Sequence, residues 1–153
     1  MRVLAVCLGN ICRSPAAEAA IAEAASGAGV DIEVDSAGTG AYHIGEPPDE
    51  RMRRAAARAG LSISGRARQF EPADFDRFDL IAVMDRTNLR DVVAQAPDED
   101  AIGRVRLFRS FDPEADPDGL DVPDPYYGGA DGFVQVVAMV RRAAAGLVAE
   151  LSG

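Results

Sequence analysis

Val3-Leu4-Ala5-Val6-Cys7-Leu8-Gly9-Asn10-Ile11-Cys12-Arg13-Ser14-Pro15 decides how the rest of the chain is read. Val3 to Val6 is an apolar run of strand length, Gly9 and Asn10 interrupt it, and Pro15 opens an alanine-rich segment reaching about Ala25. That order predicts strand, loop, helix. Ser26, Gly27 and Gly29 stop the helix, Ile32 to Asp35 alternates as a strand does, and the glycines of Ser36 to Gly45 mark a loop. The result is a βαβ unit, whose right-handed crossover makes the two strands parallel.

The same punctuation continues downstream. Pro47-Pro48-Asp49-Glu50 is a helix start with an acidic first turn, and Met52, Ala55, Ala56 and Ala59 keep helical spacing until Gly60. Leu80 to Met84 is a strand-length apolar run, Asp85 caps a helix through about Gln95, and Val105 to Phe108 is a fourth short strand. Asp112 to Asp124, rich in Pro, Asp and Gly, reads as a surface loop. Phe133, Val136, Val137, Val140, Ala144, Leu147, Val148 and Leu151 recur at three- and four-residue intervals, the mark of a long amphipathic helix. The expected fold is α/β: a three-layer sandwich around a central four-stranded parallel sheet, one domain over residues 1–153, with a phosphate-binding loop after the first strand.

Composition narrows the chemistry. The net charge is -9, and all 16 basic residues are arginine, which argues against a general electrostatic grip on nucleic acid or an anionic membrane. The N-terminus lacks a cationic segment followed by an apolar run, and no stretch reads as 18 or more apolar residues, so a cytoplasmic setting is expected. Two cysteines, Cys7 and Cys12, do not make a disulfide framework, and a single histidine, His43, leaves a protein-ligated metal almost no ligands. No metal or cofactor is expected. His43 is read as a solvated loop residue. The chemistry therefore leans on cysteine, arginine and carboxylates.

In an open parallel sheet, ligands bind where Cys7 to Ser14 lies, at the end of a strand and the start of a helix. The loop amides of Leu8, Gly9, Asn10, Ile11 and Cys12 and the first helical N–H groups have no internal partners, and the helix dipole adds positive potential, so the segment suits an anion. Gly9 lets the backbone approach, and Asn10 suits left-handed geometry or a bracing role. At a helix N-terminus beside Arg13, the Cys7 thiol is expected to ionise more readily than a free cysteine. Ser14 can donate to the thiolate, and the Arg13 fork matches two phosphoryl oxygens. The simpler alternative, two cysteines as buried apolar filler, leaves the strand before, the Gly-Asn within and the Ser-Pro helix after unexplained.

Cleaving a phosphate ester also requires a proton for the departing oxygen. Spacing alone leaves Asp116, Asp118, Asp121 and Asp124 nearly tied as its source. Tyr126 and Tyr127, suited to walling a pocket for a phenyl ring, favour Asp124.

The C-x5-R-[ST] pattern at Cys7 to Ser14 resembles the signature of the low-molecular-weight protein tyrosine phosphatases. The resemblance extends through Asp35-Ser36-Ala37-Gly38-Thr39, Ala67-Arg68-Gln69, Val83-Met84-Asp85 and Asp124-Pro125-Tyr126-Tyr127-Gly128, covering residues from about 2 to 150. It implies Cys7 as nucleophile, Arg13 as phosphate clamp and Asp124 as general acid. Tyr42, Tyr126 and Tyr127 would line the substrate site, with Ser36 and Asp85 bracing the loop. It implies a tyrosine-phosphorylated protein as substrate and inorganic phosphate as product or inhibitor. Arg66 stands near where some relatives have a histidine.

Three rivals stand beside this reading. A thiol-dependent arsenate reductase of similar loop would need further downstream cysteines, and none follows Cys12. A phosphoarginine phosphatase of the same family resembles this chain but carries threonine where Ile11 stands. A non-catalytic phosphate-binding module would lack nucleophile or acid. Cys12 has two open readings, a packed small side chain or a redox partner shielding Cys7 from overoxidation.

Overall fold

The computed structural model describes residues 1–153. Strands β1 (Arg2–Cys7), β2 (Glu33–Gly38), β3 (Leu80–Val83) and β4 (Val105–Leu107) form one parallel sheet in the order β2-β1-β3-β4. Between and after them lie α1 (Arg13–Ala28), α2 (Glu50–Arg58), α3 (Asp74–Arg77), α4 (Arg86–Val93), α5 (Glu99–Gly103) and α6 (Ala130–Ser152), with a 3-10 turn at Phe108–Phe111.

Strand β1 is apolar at every position from Val3 to Cys7 because both of its faces are covered. Val3, Ala5 and Cys7 pack with Leu80, Ala82 and Met84 against α1, α2 and α6. Leu4 and Val6 point the other way, joining Ile81, Val83, Phe70, Phe75, Phe78 and Val92. The two-residue period of a strand thus divides one short run between two cores, giving the expected three layers.

Helix α6 carries the largest share of the first core, with Phe133, Val136, Val137, Val140, Ala144, Leu147 and Val148 all buried. Its 23 residues, with mean hydropathy 1.4 over the most apolar 18, meet the length and composition of a membrane span, contrary to the expectation that no stretch does so. Packing accounts for that apolarity, because the helix lies against α1, α2 and the 3-10 turn. The approach to the turn is close enough that a Cβ on Gly146 would lie 1.9 Å from the Phe111 carbonyl oxygen.

Several boundaries differ from expectation. Helix α1 begins at Arg13 rather than Pro15, which places Arg13 and Ser14 in its first turn. Strand β2 runs on to Gly38, so Ser36 sits in a strand rather than a loop. Phe108 leaves the sheet and enters the 3-10 turn, where it is fully buried. The short helices α3 and α5 have too few residues for a periodic signal to register.

Candidate active site

The loop between β1 and α1 lies beside the central strand, where the crossovers diverge to the two faces of the sheet. Three neighbours fix its shape. Thr39 and Gly40 donate their N–H groups to the carbonyls of Cys7 and Leu8, both at 2.9 Å, and Asp49 N–H donates to Ile11 O at 2.8 Å. A Cβ on Gly38 would lie 2.6 Å from Leu8 O, so the end of β2 can touch the loop only as glycine.

Asn10 takes a left-handed conformation at φ +58 and braces the loop as well, so both roles expected of it occur together. Its side-chain amide donates to Ser14 Oγ at 2.8 Å and Ser36 Oγ at 3.0 Å, while its Oδ1 accepts from Arg68 N–H at 3.0 Å. Ser36 in turn donates to Glu18 at 2.7 Å. With Asn10 donating to it, Ser14 has its own proton to give, either to Cys7 Sγ, 3.0 Å away, or to the Ala37 carbonyl at 3.3 Å, and Asn10 N–H reaches the same sulfur at 3.3 Å. The sulfur therefore sits among donors, the surroundings a thiolate requires.

Burial raises the Glu18 carboxyl above its ordinary 4.5, outweighing the hydrogen bond from Ser36; Asp35 adds to the rise and Arg68 opposes it. The native state then binds this proton more tightly than the unfolded chain does, so this contribution to stability falls as pH climbs from about 4.5 through the higher folded value. Glu18→Gln keeps an acceptor for Ser36 and removes the charge. Its unfolding midpoint is expected to exceed that of the wild type at pH 7, by about 2–4 °C for each kcal/mol relieved, with the gap closing below the ordinary carboxylate range. Calorimetric scans across pH check this; a gap that did not depend on pH would refute it.

Arg13 is 3% exposed. Its Nη1 donates to Asp85 at 2.6 Å and to the Val122 carbonyl at 3.0 Å, and its Nη2 lies 3.7 Å from Asp124 Oδ2. Burial alone would lower its pKa, but Cys7, Asp85 and Asp124 together hold it above the ordinary value. Asp85 also caps α4 by accepting Asn88 N–H at 2.8 Å, so one carboxylate fixes both a helix start and the guanidinium.

Cys7, Arg13 and Asp124 face a single cleft of about 440 Å³, with Leu8, Gly9, Ile11 and Cys12 at its base and Tyr42, His43, Tyr126 and Tyr127 around it. A nucleophilic sulfur, a cationic fork and a carboxyl converge under an aromatic rim. The family profile described as low molecular weight phosphotyrosine protein phosphatase matches residues 2–153. The chain belongs to this family. A low molecular weight protein-tyrosine-phosphatase of Streptomyces coelicolor is 47% identical over 97% of this chain and 92% of its own length. The Homo sapiens low molecular weight phosphotyrosine protein phosphatase is 41% identical over 92% of this chain and 89% of its own. In structure, a protein tyrosine phosphatase from Entamoeba histolytica, with Hepes in its active site, superposes with a TM-score of 0.95 at 35% identity, covering 99% of this chain and 97% of that one. The YwlE arginine phosphatase shares the fold, at TM-score 0.87 and 22% identity over 99% and 96% of the two chains.

In this member of the phosphatase family, the predicted residues come together in two groups. Cys7, Leu8, Gly9, Ile11, Cys12, Arg13, Tyr42, Asp124, Tyr126 and Tyr127 border the cleft, while Asn10, Ser14, Ser36 and Asp85 lie behind the loop or beneath Arg13. His43 departs from the expectation of a solvated residue. It lines the cleft, pairs through Nδ1 with Glu46 at 2.8 Å and lies tilted against the Tyr126 ring, with centroids 5.9 Å apart. Arg66 donates to the Gly45 carbonyl at 2.9 Å and supports the loop from outside. Cys12 is buried, and burial first, then Asp49, Cys7 and Asp124, push its thiol far above the ordinary value. It is held as a neutral thiol beside Cys7.

Proposed function

We propose that the protein hydrolyses phosphotyrosine in other proteins through a phosphocysteine intermediate. The convergence of Cys7, Arg13 and Asp124 on one aromatic-rimmed cleft carries this reading. The phosphoryl group enters the loop, where free amides and the Arg13 fork hold its equatorial oxygens, and the Cys7 thiolate attacks phosphorus in line. As the P–O bond breaks, Asp124 gives its proton to the tyrosine oxygen. Asp124, now a carboxylate, takes a proton from water as that water attacks phosphorus. The P–S bond breaks, and inorganic phosphate leaves with the thiolate restored. No step calls for a metal, and phosphate itself competes for the loop.

The aromatic rim favours an aryl ester. Tyr126 and Tyr127 meet edge to face, with centroids 4.9 Å apart, and exposed Tyr42 completes a slot for a flat ring. Ile11 at the base offers apolar surface to that ring, where a guanidinium substrate would need polar partners. The reading extends to one catalytic domain over residues 1–153 and to a cytoplasmic setting, in keeping with two free thiols and a thiolate nucleophile.

Steady-state release from phosphotyrosine and phosphoarginine peptides, with and without EDTA, tests the assignment. The tyrosine peptide is expected to be preferred, with no effect of chelation. Asp124→Ala is expected to lower kcat about a hundredfold and to leave a phosphoenzyme detectable by rapid quench. Activity that vanished with EDTA, or a preference for phosphoarginine, would overturn the reading.

A further inference from the structure

The segment bearing Asp124 has no helix or strand between Asp112 and Gly129. Upstream of Asp124 it is well tied: Val122 N–H donates to Met84 O at 2.7 Å, Val122 O accepts from Arg13, and Asp121 accepts from Arg86 N–H at 3.0 Å. Downstream, no hydrogen bond joins residues 125–129 to any residue before Asp124. Their bonds are local, Gly128 N–H to Pro125 O at 3.0 Å and Tyr126 N–H to Asp124 Oδ1 at 3.0 Å. The Asp124 carboxyl is thus held on one side by the Tyr126 amide, and Tyr126 is held by packing, its ring against His43 and the core and its neighbour Pro125 buried.

Arg51 adds a charged contact to that ring. Its guanidinium carbon lies 5.2 Å from the Tyr126 ring centroid and 4.7 Å from that of buried Phe133 on α6, within the range of cation–π attraction. Nε and Nη2 of Arg51 both donate to Asp49, at 3.2 and 3.0 Å, a two-point grip that fixes the plane of the fork. Asp49 caps α2 and hands its own N–H to Ile11 O in the nucleophile loop. A continuous path runs from the loop through Asp49 and Arg51 to Tyr126 and so to Asp124.

We propose that Arg51 is a positioning residue for the general acid: gripped by Asp49, it clamps the Tyr126 ring and thereby sets where the Asp124 carboxyl stands relative to the loop. The proposal rests on Asp124 acting as the acid. Arg51 touches neither substrate nor phosphorus in this role. Its effect belongs in the proton-transfer step and grows with the basicity of the leaving group.

The test is the dependence of kcat/KM on leaving group, comparing p-nitrophenyl phosphate with phenyl phosphate, whose poorer leaving group relies on protonation. Asp124→Ala serves as the reference and is expected to lose far more on phenyl phosphate. Arg51→Met is expected to behave in the same sense, with a loss of about tenfold on phenyl phosphate and less than about threefold on p-nitrophenyl phosphate. Arg51→Lys, which keeps the charge without the fork, should fall between Met and wild type. Equal losses of Arg51→Met on both esters, or a change confined to KM for acidic peptides, would overturn the clamp. An Asp124→Ala variant without leaving-group bias would instead overturn the acid assignment beneath it. Tyr126→Leu reads the contact from the other side should Arg51→Met fail to fold. In a Tyr126→Leu background, Arg51→Met is expected to add no further leaving-group bias, and an additive loss would count against the clamp.

Discussion

Cys7→Ser is expected to lower kcat on aryl phosphates by on the order of 10^5-fold or more, the scale on which loss of an enzyme's nucleophile is felt. The reason lies in what surrounds the sulfur. Ser14 Oγ at 3.0 Å and Asn10 N–H at 3.3 Å both lie within reach of it, and both donate to it once it is a thiolate. Donors stabilise an anion once it is formed, which suits a thiol, a group far more acidic than an alcohol. They do nothing to remove the proton of an alcohol, and the only side chain hydrogen-bonded at position 7 is the Ser14 hydroxyl, which is no base. The variant is expected to keep its phosphate cradle, so calorimetric titration with a phosphotyrosine peptide should still show binding. Phosphate release near the wild-type rate, in protein verified by mass spectrometry to carry the substitution, would refute the assignment of Cys7.

Arg13→Lys, nominally conservative, is expected to lower kcat/KM about 10^3-fold, at the lower end of what removal of a phosphate-clamping arginine costs. Nη1 is committed to Asp85 and the Val122 carbonyl, which leaves Nη2 and Nε as the part of the fork free to meet phosphoryl oxygens. A single ammonium cannot span both tasks. Drawn toward Asp85 it would abandon the phosphate, and drawn toward the phosphate it would leave Asp85 half-buried without its partner. Inorganic phosphate should consequently inhibit Arg13→Lys more weakly than the wild type. Retention of both kcat/KM and phosphate inhibition would show that a point charge suffices.

Much of this architecture can be read from local pattern. The run Val3 to Val6, the break at Gly9-Asn10 and the start near Pro15 specify strand, turn and helix through short-range sterics, which act between neighbours and need no partner. Asn10 shows how far this reaches, since its short polar side chain suits both the left-handed backbone and the bracing it performs. The α6 stripe is legible for the same reason, because its 3.6-residue period is repeated over six turns. Short elements fall below that threshold, and α3, α5 and the turn at Phe108 form because packing over the second core and beside α6 rewards them.

For the site, sequence by itself determined the loop: Cys7 and Arg13 are six residues apart, and a strand-to-helix turn of that length brings them to one anion-binding surface. Spacing did not determine which aspartate supplies the proton, since Asp116, Asp118, Asp121 and Asp124 share one acidic, proline-rich setting, and only the neighbouring Tyr126 and Tyr127, together with family resemblance, favoured Asp124. Tertiary structure decided that Asp124 alone of these borders the cleft, because Val122 is anchored to Met84 and Arg13. It also revealed His43 against Tyr126 and Arg51 between Tyr126 and Phe133. Those contacts join residues 75 to 83 positions apart, and no local preference encodes them. They arise when the sheet brings the ends of β1 and β2 and the segment after β4 to one edge, where side chains distant along the chain compete for the same surface.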